Sequence, residues 1–170
     1  MAAVAMALAG CAANLEQGDA GAPPLRVEPT ASRNIVLNVT GSPVATGSED
    51  WQDFKGEWTA AMEAAATARG ARFGTQDGEP RATGQAGTLV VVDVEDYRYM
   101  STGARFGLGA MAGNAYVDAD VRFLDLASGT PLGRRSYTTS SSAWEGVFSA
   151  MTSKQVGAIA DAIVAEIDPR

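Results

Sequence analysis

The sequence predicts an α+β domain: a single small, mostly antiparallel sheet with two helices packed on one of its faces. Three observations carry this. Asn34–Thr40, Thr88–Tyr97 and Tyr116–Asp125 are rich in β-branched residues and largely alternate apolar with polar positions, the period of a strand. The stretches that begin near Trp51 and near Val156 instead repeat apolar residues every three or four positions, the period of a helix with one buried face. The hydrophobic fraction is 46% but aromatics are only 7%, so the core is expected to be built from small residues around a sheet. A chain of 170 residues allows one domain of ordinary size.

Taken in order, the first strand places Ile35, Leu37 and Val39 on one face and ends at Gly41-Ser42-Pro43. Asn38-Val39-Thr40 has the form of a glycosylation sequon, but inside a strand it carries no weight. A helix follows, with Ser48 as its expected N-cap and Glu49, Asp50 and Asp53 placed where the helix dipole favours negative charge. Trp51, Phe54, Trp58, Ala61, Met62 and Ala65 make one stripe, and Gly70 suits the left-handed residue after the helix. Because both tryptophans share a face with Phe54 and Met62, they read as core rather than as a surface for sugar or peptide. Ala71–Gln76 reads as a short strand around Phe73, and Asp77–Pro80 and Gly84–Gly87 bracket a polar loop.

Thr88–Tyr97 is the strongest strand. Its run Val90-Val91-Val92 with Val94 suits a central position buried at one end. Gly103–Gly113 is rich in glycine, yet it leads into a strand and its spacing is wrong for G-x-G-x-x-G. A phosphate-cradling loop must open a helix, so a dinucleotide site is rejected here. Phe106, Leu108 and Met111 in this loop would be costly to leave in water and are expected to cover a sheet edge or meet a partner. Tyr116–Asp125 alternates cleanly, with Val117, Ala119, Val121 and Phe123 on one face and Tyr116, Asp118, Asp120 and Arg122 on the other. Ala127–Pro131 turns the chain into a return strand, Leu132–Ser140, with Arg135 and Tyr137 on one face. Antiparallel pairing lets Arg134 or Arg135 approach the neighbouring carboxylates. Trp144, Val147, Phe148 and Met151 have helical spacing, weakened by Gly146. The final helix is capped by Ser153, buries Val156, Ile159, Ala160, Ile163 and Ile167, and ends at Pro169. The element order is strand-helix-strand-strand-strand-strand-helix.

The composition excludes several functions. A net charge of −7, two lysines and scattered arginines argue against nucleic acid, which needs clustered cations. The absence of histidine removes the commonest general base and metal ligand. There is no G-x-S-x-G elbow, and Ser140-Ser141-Ser142 reads as a linker and cap. Asp93, Glu95, Asp118 and Asp120 share the open sheet face in this reading. They allow either a hard-cation site or an acid/base pair, against the simpler reading of a solvated face balanced by Arg122, Arg134 and Arg135. No cofactor is expected.

Residues 1–11 close on Leu8-Ala9-Gly10-Cys11 and resemble the end of a bacterial lipoprotein signal peptide with its lipobox. The resemblance implies diacylglycerol on the Cys11 thiol and acylation of the amine freed there, an anchor of several chains at about 0.8 kcal/mol per buried CH2. No charge precedes Cys11, so the charged opening of such a signal is expected upstream of Met1. Ala12 after the cysteine implies, by resemblance to the sorting rule, the periplasmic face of the outer membrane. Residues 12–33, with Gly18, Gly21, Pro23, Pro24 and Pro29, read as a disordered tether spanning roughly 25 Å as a coil and about 75 Å when extended. The domain is expected over 34–168.

From Gly87 onward the valine-rich strand Leu89–Val94, Gly107 and Gly109, the strand Val117–Leu126 with its Ser128-Gly129 turn, and the helix Val156–Ile167 resemble a family of small bacterial lipoproteins. Some of its members are similar to the periplasmic domains of the curli-secretion lipoprotein, the TolB N-terminal domain and the activators of penicillin-binding proteins. The resemblance covers about half the chain and rests on turns and strand ends, so it transfers no catalytic residue. It implies a non-enzymatic, lipid-anchored accessory protein that meets another envelope protein, with Phe106, Leu108, Met111, Arg135 and Tyr137 as the expected contact residues. The alternatives are a metal-dependent or hydrolytic enzyme on the acidic face and a carrier of a small apolar ligand.

Overall fold

The computed structural model describes residues 14–18, 22–98, 116–140 and 151–169. Its elements are β1 (Asn14–Gln17), a 3-10 turn (Ala31–Arg33), β2 (Asn34–Gly41), α1 (Pro43–Thr46), α2 (Trp51–Ala68), β3 (Arg72–Gln76), β4 (Thr88–Arg98), β5 (Tyr116–Asp125), β6 (Pro131–Ser140) and α3 (Met151–Ile167). The strands form one sheet in the order β1-β6-β5-β4-β2-β3. The α+β class and the expected succession of elements hold, with β1 and α1 added. The sheet is mixed rather than mostly antiparallel: β2 lies parallel to both β3 and β4, and the remaining pairings are antiparallel.

The parallel half has a physical origin in the connections. Helix α2 carries the chain back along β2 before β3 begins, and a crossover of that kind makes its two strands parallel. The loop from Gln76 to Thr88 then returns the chain to the same end on the opposite face of β2. Asn38 ties that loop down, its amide donating to the carbonyls of Gln76 and Gly78 at 3.0 Å each. Leu89, Val91 and Leu126, with Val36 and Leu124 beside them, form a small apolar cluster on this face. Leu126 is joined to the loop through backbone bonds with Thr83 and Gly87. This is why β4 reads as a continuous apolar run: its first half is buried on both sides.

The other face carries both helices, as expected. Ile35, Leu37, Val90, Val92, Val94, Val117, Ala119, Val121 and Phe123 meet Trp51, Phe54, Trp58 and Met62 of α2 and Val156, Ile159, Ile163 and Ile167 of α3 in one core. Each large side chain buried there contributes about 2 kcal/mol. Phe54 stacks on Tyr97 at a centroid distance of 4.0 Å, and Trp58 meets Phe54 edge-on at 6.3 Å. The tryptophans are core, as their spacing says. Gly70 closes α2 at φ +70°, the left-handed position that favours glycine. At the other end of α2 the cap position is Asp50 rather than Ser48, whose hydroxyl donates to the Asp50 carboxylate at 2.5 Å. Ser153 lies inside α3, which already runs from Met151.

Tyr97 is buried beside Val94 although the two are three apart. A bulge between Val94 and Asp96 makes this possible: the extra residue, Glu95, reverses the parity of the strand. Asp96 therefore points out and Tyr97 in.

The described residues 14–18 and 22–33 differ most from the expected tether. β1 pairs antiparallel with β6, Asn14 opposite Ser140 and Gln17 opposite Tyr137. Leu15, Leu25 and Val27 pack against the core, and Leu25 lies so close over Gly133 that a Cβ there would collide with its Cδ2. The polar, proline-rich composition that suggested disorder belongs to a strap laid along the β6 edge. Its prolines disqualify a central strand but suit an extended edge segment.

Candidate functional site

The outward face of the sheet holds the carboxylates that the sequence brought forward. Register sets Asp93 opposite Asp120 and Asp96 opposite Asp118. Each is occupied by a neighbour. Asp120 forms an ion pair with Arg134 and accepts from the Ser136 hydroxyl at 2.6 Å. Asp118 accepts from Thr138 at 3.0 Å, and Asp93 accepts from Thr40 at 3.2 Å. Asp96 accepts from the Tyr116 hydroxyl at 2.9 Å and from the Tyr97 backbone N–H at 2.8 Å. The bond to Asp96 is the main reason the Tyr116 hydroxyl is pushed above its ordinary pKa, with burial and the Asp96 charge adding to it. Glu95 is the exposed bulge residue, and its carbonyl accepts from the Ser42 hydroxyl at 2.9 Å. Among the described residues no three acidic or sulfur side chains converge as a cation site. Asp93, Glu95, Asp118 and Asp120 thus form a cross-strand ladder rather than a cage. The expected approach of Arg134 to a neighbouring carboxylate is real; Arg122, directly opposite Arg134, adds a second cation to that face.

Arg135 and Tyr137, expected as contact residues, do not lie on the outward face of the sheet. Both point to the helix-covered face; Arg135 is 3% exposed and Tyr137 is fully buried. The alternation of β6 put them on one face, but only the sheet's packing shows that this face is the inner one. Arg135 is instead a clasp between three elements. Its guanidinium donates to Glu166 of α3 at 2.7 Å, to the carbonyl of Pro23 in the strap at 2.9 Å and to the Arg134 carbonyl at 2.8 Å. Glu166 also accepts from the Gln17 amide at 3.2 Å. Burial pushes the Glu166 carboxyl up, but its bonds from Arg135 and Gln17 and the guanidinium charge outweigh burial and hold it below the ordinary value. Glu166, Gln17 and Pro23 had no local signal in the sequence, because Gln17 and Glu166 are 149 positions apart.

Two shallow hollows mark the described surface. One, of about 410 Å3, runs between α2 and α3 along Ala60, Ala61, Ala64 and Ala68, with Gly157 and Asp161 opposite. The other, of about 300 Å3, lies beneath Val27 and Pro29 beside Ile167. Among the described residues no helix is long and apolar enough to cross a membrane. Cys11, Phe106, Leu108, Met111 and Trp144 lie outside the described residues.

No protein-family model matches the sequence, and no curated protein matches it. Solved structures share the fold. PelC from Paraburkholderia phytofirmans, a dodecamer, aligns with a TM-score of 0.52 and 13% identity over 87% of this chain and 94% of its own. A variant of that PelC with one leucine replaced by methionine, also a dodecamer, aligns at 0.51 with 12% identity over the same shares. An uncharacterised protein aligns at 0.53 with 12% identity over 84% of this chain and 97% of its own. The chain is similar to these proteins in fold, along nearly their whole length.

Proposed function

We propose that this chain is a lipid-anchored accessory protein of the bacterial envelope, held by Cys11 to the periplasmic face of the outer membrane and acting through protein–protein contacts without catalysis. The observation that carries the reading is the state of the open sheet face. Asp93, Asp96, Asp118 and Asp120 are each engaged by a hydroxyl, a guanidinium or a backbone N–H of the adjoining chain, which suits a surface for contact better than one for acid/base chemistry. The lipobox Leu8–Cys11 supports the anchor. The likeness to periplasmic accessory domains from Gly87 onward supports an envelope protein as partner. The dodecameric state of PelC, which shares the fold, supports a second copy of the chain as one such partner.

Metabolic labelling with radioactive palmitate tests the anchor. Wild-type protein is expected to incorporate label and to fractionate with the outer membrane, and Cys11→Ala to do neither; an unlabelled wild-type protein refutes it. Crosslinking in intact cells followed by mass measurement tests the contacts. Species at multiples of the mass of the mature, acylated chain, or joined to a second envelope protein, are expected. A monomer alone at all crosslinker lengths refutes that part.

A further inference from the structure

The described strands fix where an anchor on Cys11 attaches. Asn14, Ser140, Tyr116 and Arg98 lie side by side across β1, β6, β5 and β4, at one end of the sheet. β1 starts at that end and runs away from it. Only two residues separate Cys11 from Asn14, so at most about 11 Å of extended chain lies between the two Cα positions. Segments 99–115 and 141–150 also join the described strands at this end. β2 reaches it as well: Ser42 bonds the carbonyls of Val94 and Glu95, and α1 follows. On α1 sits Val44, the large apolar side chain left 74% exposed among the described residues. The opposite end carries the Asp125–Thr130 hairpin turn and the 83–87 part of the polar loop, where Thr83 and Gly87 bond the Leu126 backbone. Along the ten residues of β5 the two ends are about 30 Å apart.

We propose that the sheet end bearing Asn14, Arg98, Tyr116 and Ser140 faces the bilayer surface, and that the 125–130 hairpin points away from it into the periplasm. The inference rests on the lipid-anchored reading above. It follows from the short link and the docked strap together. A disordered 12–33 segment would let the domain tumble tens of ångströms from the membrane, but pairing of β1 with β6 docks the chain from Asn14, three positions after Cys11, and Pro23 is held by Arg135. The partner is a lipid surface, and the face turned to other proteins is the hairpin end with the flanking sheet face.

The experiment uses the full mature chain beginning at Cys11, its single thiol coupled to a maleimide lipid in phosphatidylethanolamine/phosphatidylglycerol vesicles that carry nitroxide headgroups. An encoded fluorescent amino acid replaces Arg98 in one preparation and Thr130 in another, both exposed positions; Tyr116 and Ser128 provide a second pair should either preparation fail to melt cooperatively. Headgroup nitroxide is expected to quench the probe at 98 or 116 several-fold more strongly than the probe at 130 or 128. Equal quenching at the two ends, or stronger quenching at the hairpin, overturns the orientation. Mass measurement of protein from cells separates the two claims: a Cys11 without acyl chains refutes the anchored reading, while the quenching on coupled protein decides the orientation by itself.

Discussion

Replacing Arg135 by methionine should destabilise the domain by about 2–3 kcal/mol at neutral pH, although the residue lies far from any chemistry. The guanidinium makes bonds of 2.7, 2.9 and 2.8 Å to Glu166, Pro23 and Arg134. Methionine keeps the apolar stem but leaves a carboxylate and a strap carbonyl without their donor. Removing one partner of a buried pair costs about 3–5 kcal/mol. The Glu166 side chain is 24% exposed, so water recovers part of that loss, which sets the lower figure. For a chain of this size the change lowers Tm by about 4–12 °C. Arg135→Met/Glu166→Leu should be more stable than Arg135→Met by about 1 kcal/mol, because no unpaired carboxylate remains. The pH dependence has a definite sign. The folded carboxyl titrates below its ordinary value of 4.5, so its contribution is present above that value and fades as pH falls through the lower, folded one. The gap between wild type and Arg135→Met should therefore narrow as the pH drops below 4.5. Urea denaturation of the four proteins in the cycle at pH 7 and under acid measures all of this. A coupling energy under about 0.5 kcal/mol at pH 7, or a gap independent of pH, refutes the clasp.

Three other outcomes follow from packing. Deleting Glu95 removes the bulge but leaves Val94 in, Asp96 out and Tyr97 in, the alternation that their unchanged partners on β5 require, so it should cost only about 1 kcal/mol, for the lost bond from Ser42, and keep the Phe54–Tyr97 stack; urea denaturation and near-UV circular dichroism check the two parts. Gly87→Ala should lower Tm, since its Cβ would meet Asn34 and Leu126 at 2.7 Å, whereas Gly56→Ala and Gly157→Ala, with open space in helices, should each stabilise by about 0.5–1 kcal/mol. The indole N–H of Trp58 is buried without an acceptor, so Trp58→Phe should cost under about 1.5 kcal/mol where Trp58→Ala costs about 3–5, a contrast that thermal melts resolve.

Periodicity made most of the domain legible. The inward residues of α2, α3, β4 and β5 repeat at the spacing their elements require, and burial follows that spacing almost residue by residue. Pairing was less legible. Whether β2 runs parallel or antiparallel to β4 depends on which end of the sheet the 77–87 loop delivers the chain to, and nothing in Asp77–Gly87 encodes an end. Asn38, a polar residue at zero exposure inside a strand, is the trace this crossover leaves in the sequence. The bulge left a trace too: Val94 and Tyr97 are apolar and three apart, a spacing that simple alternation forbids. Arg135 was misplaced for a similar reason. Alternation along β6 groups it with Tyr137, and a basic residue suggests an outer face. A guanidinium can lie inside when a carboxylate from a distant helix meets it, and only the fold brings Glu166 there.

The strap also changes what an anchor on Cys11 does mechanically. Composition makes residues 12–33 a tether, and a tether keeps a protein near a membrane without choosing which side faces it. Pairing of β1 with β6 removes that freedom, and Arg135 holds the segment through Pro23 and, by way of Glu166, through Gln17. The clasp and the orientation are thus one arrangement viewed at two scales. In the proposed arrangement a side chain buried in β6 sets how far the domain can move from the bilayer, and the carboxylate ladder of the outward sheet face stands roughly along the membrane normal, open to neighbours at its flank. Copies anchored this way share one direction before they meet. Their encounter is then confined to rotation and translation in the plane of the membrane, which favours lateral contacts between like surfaces over random ones.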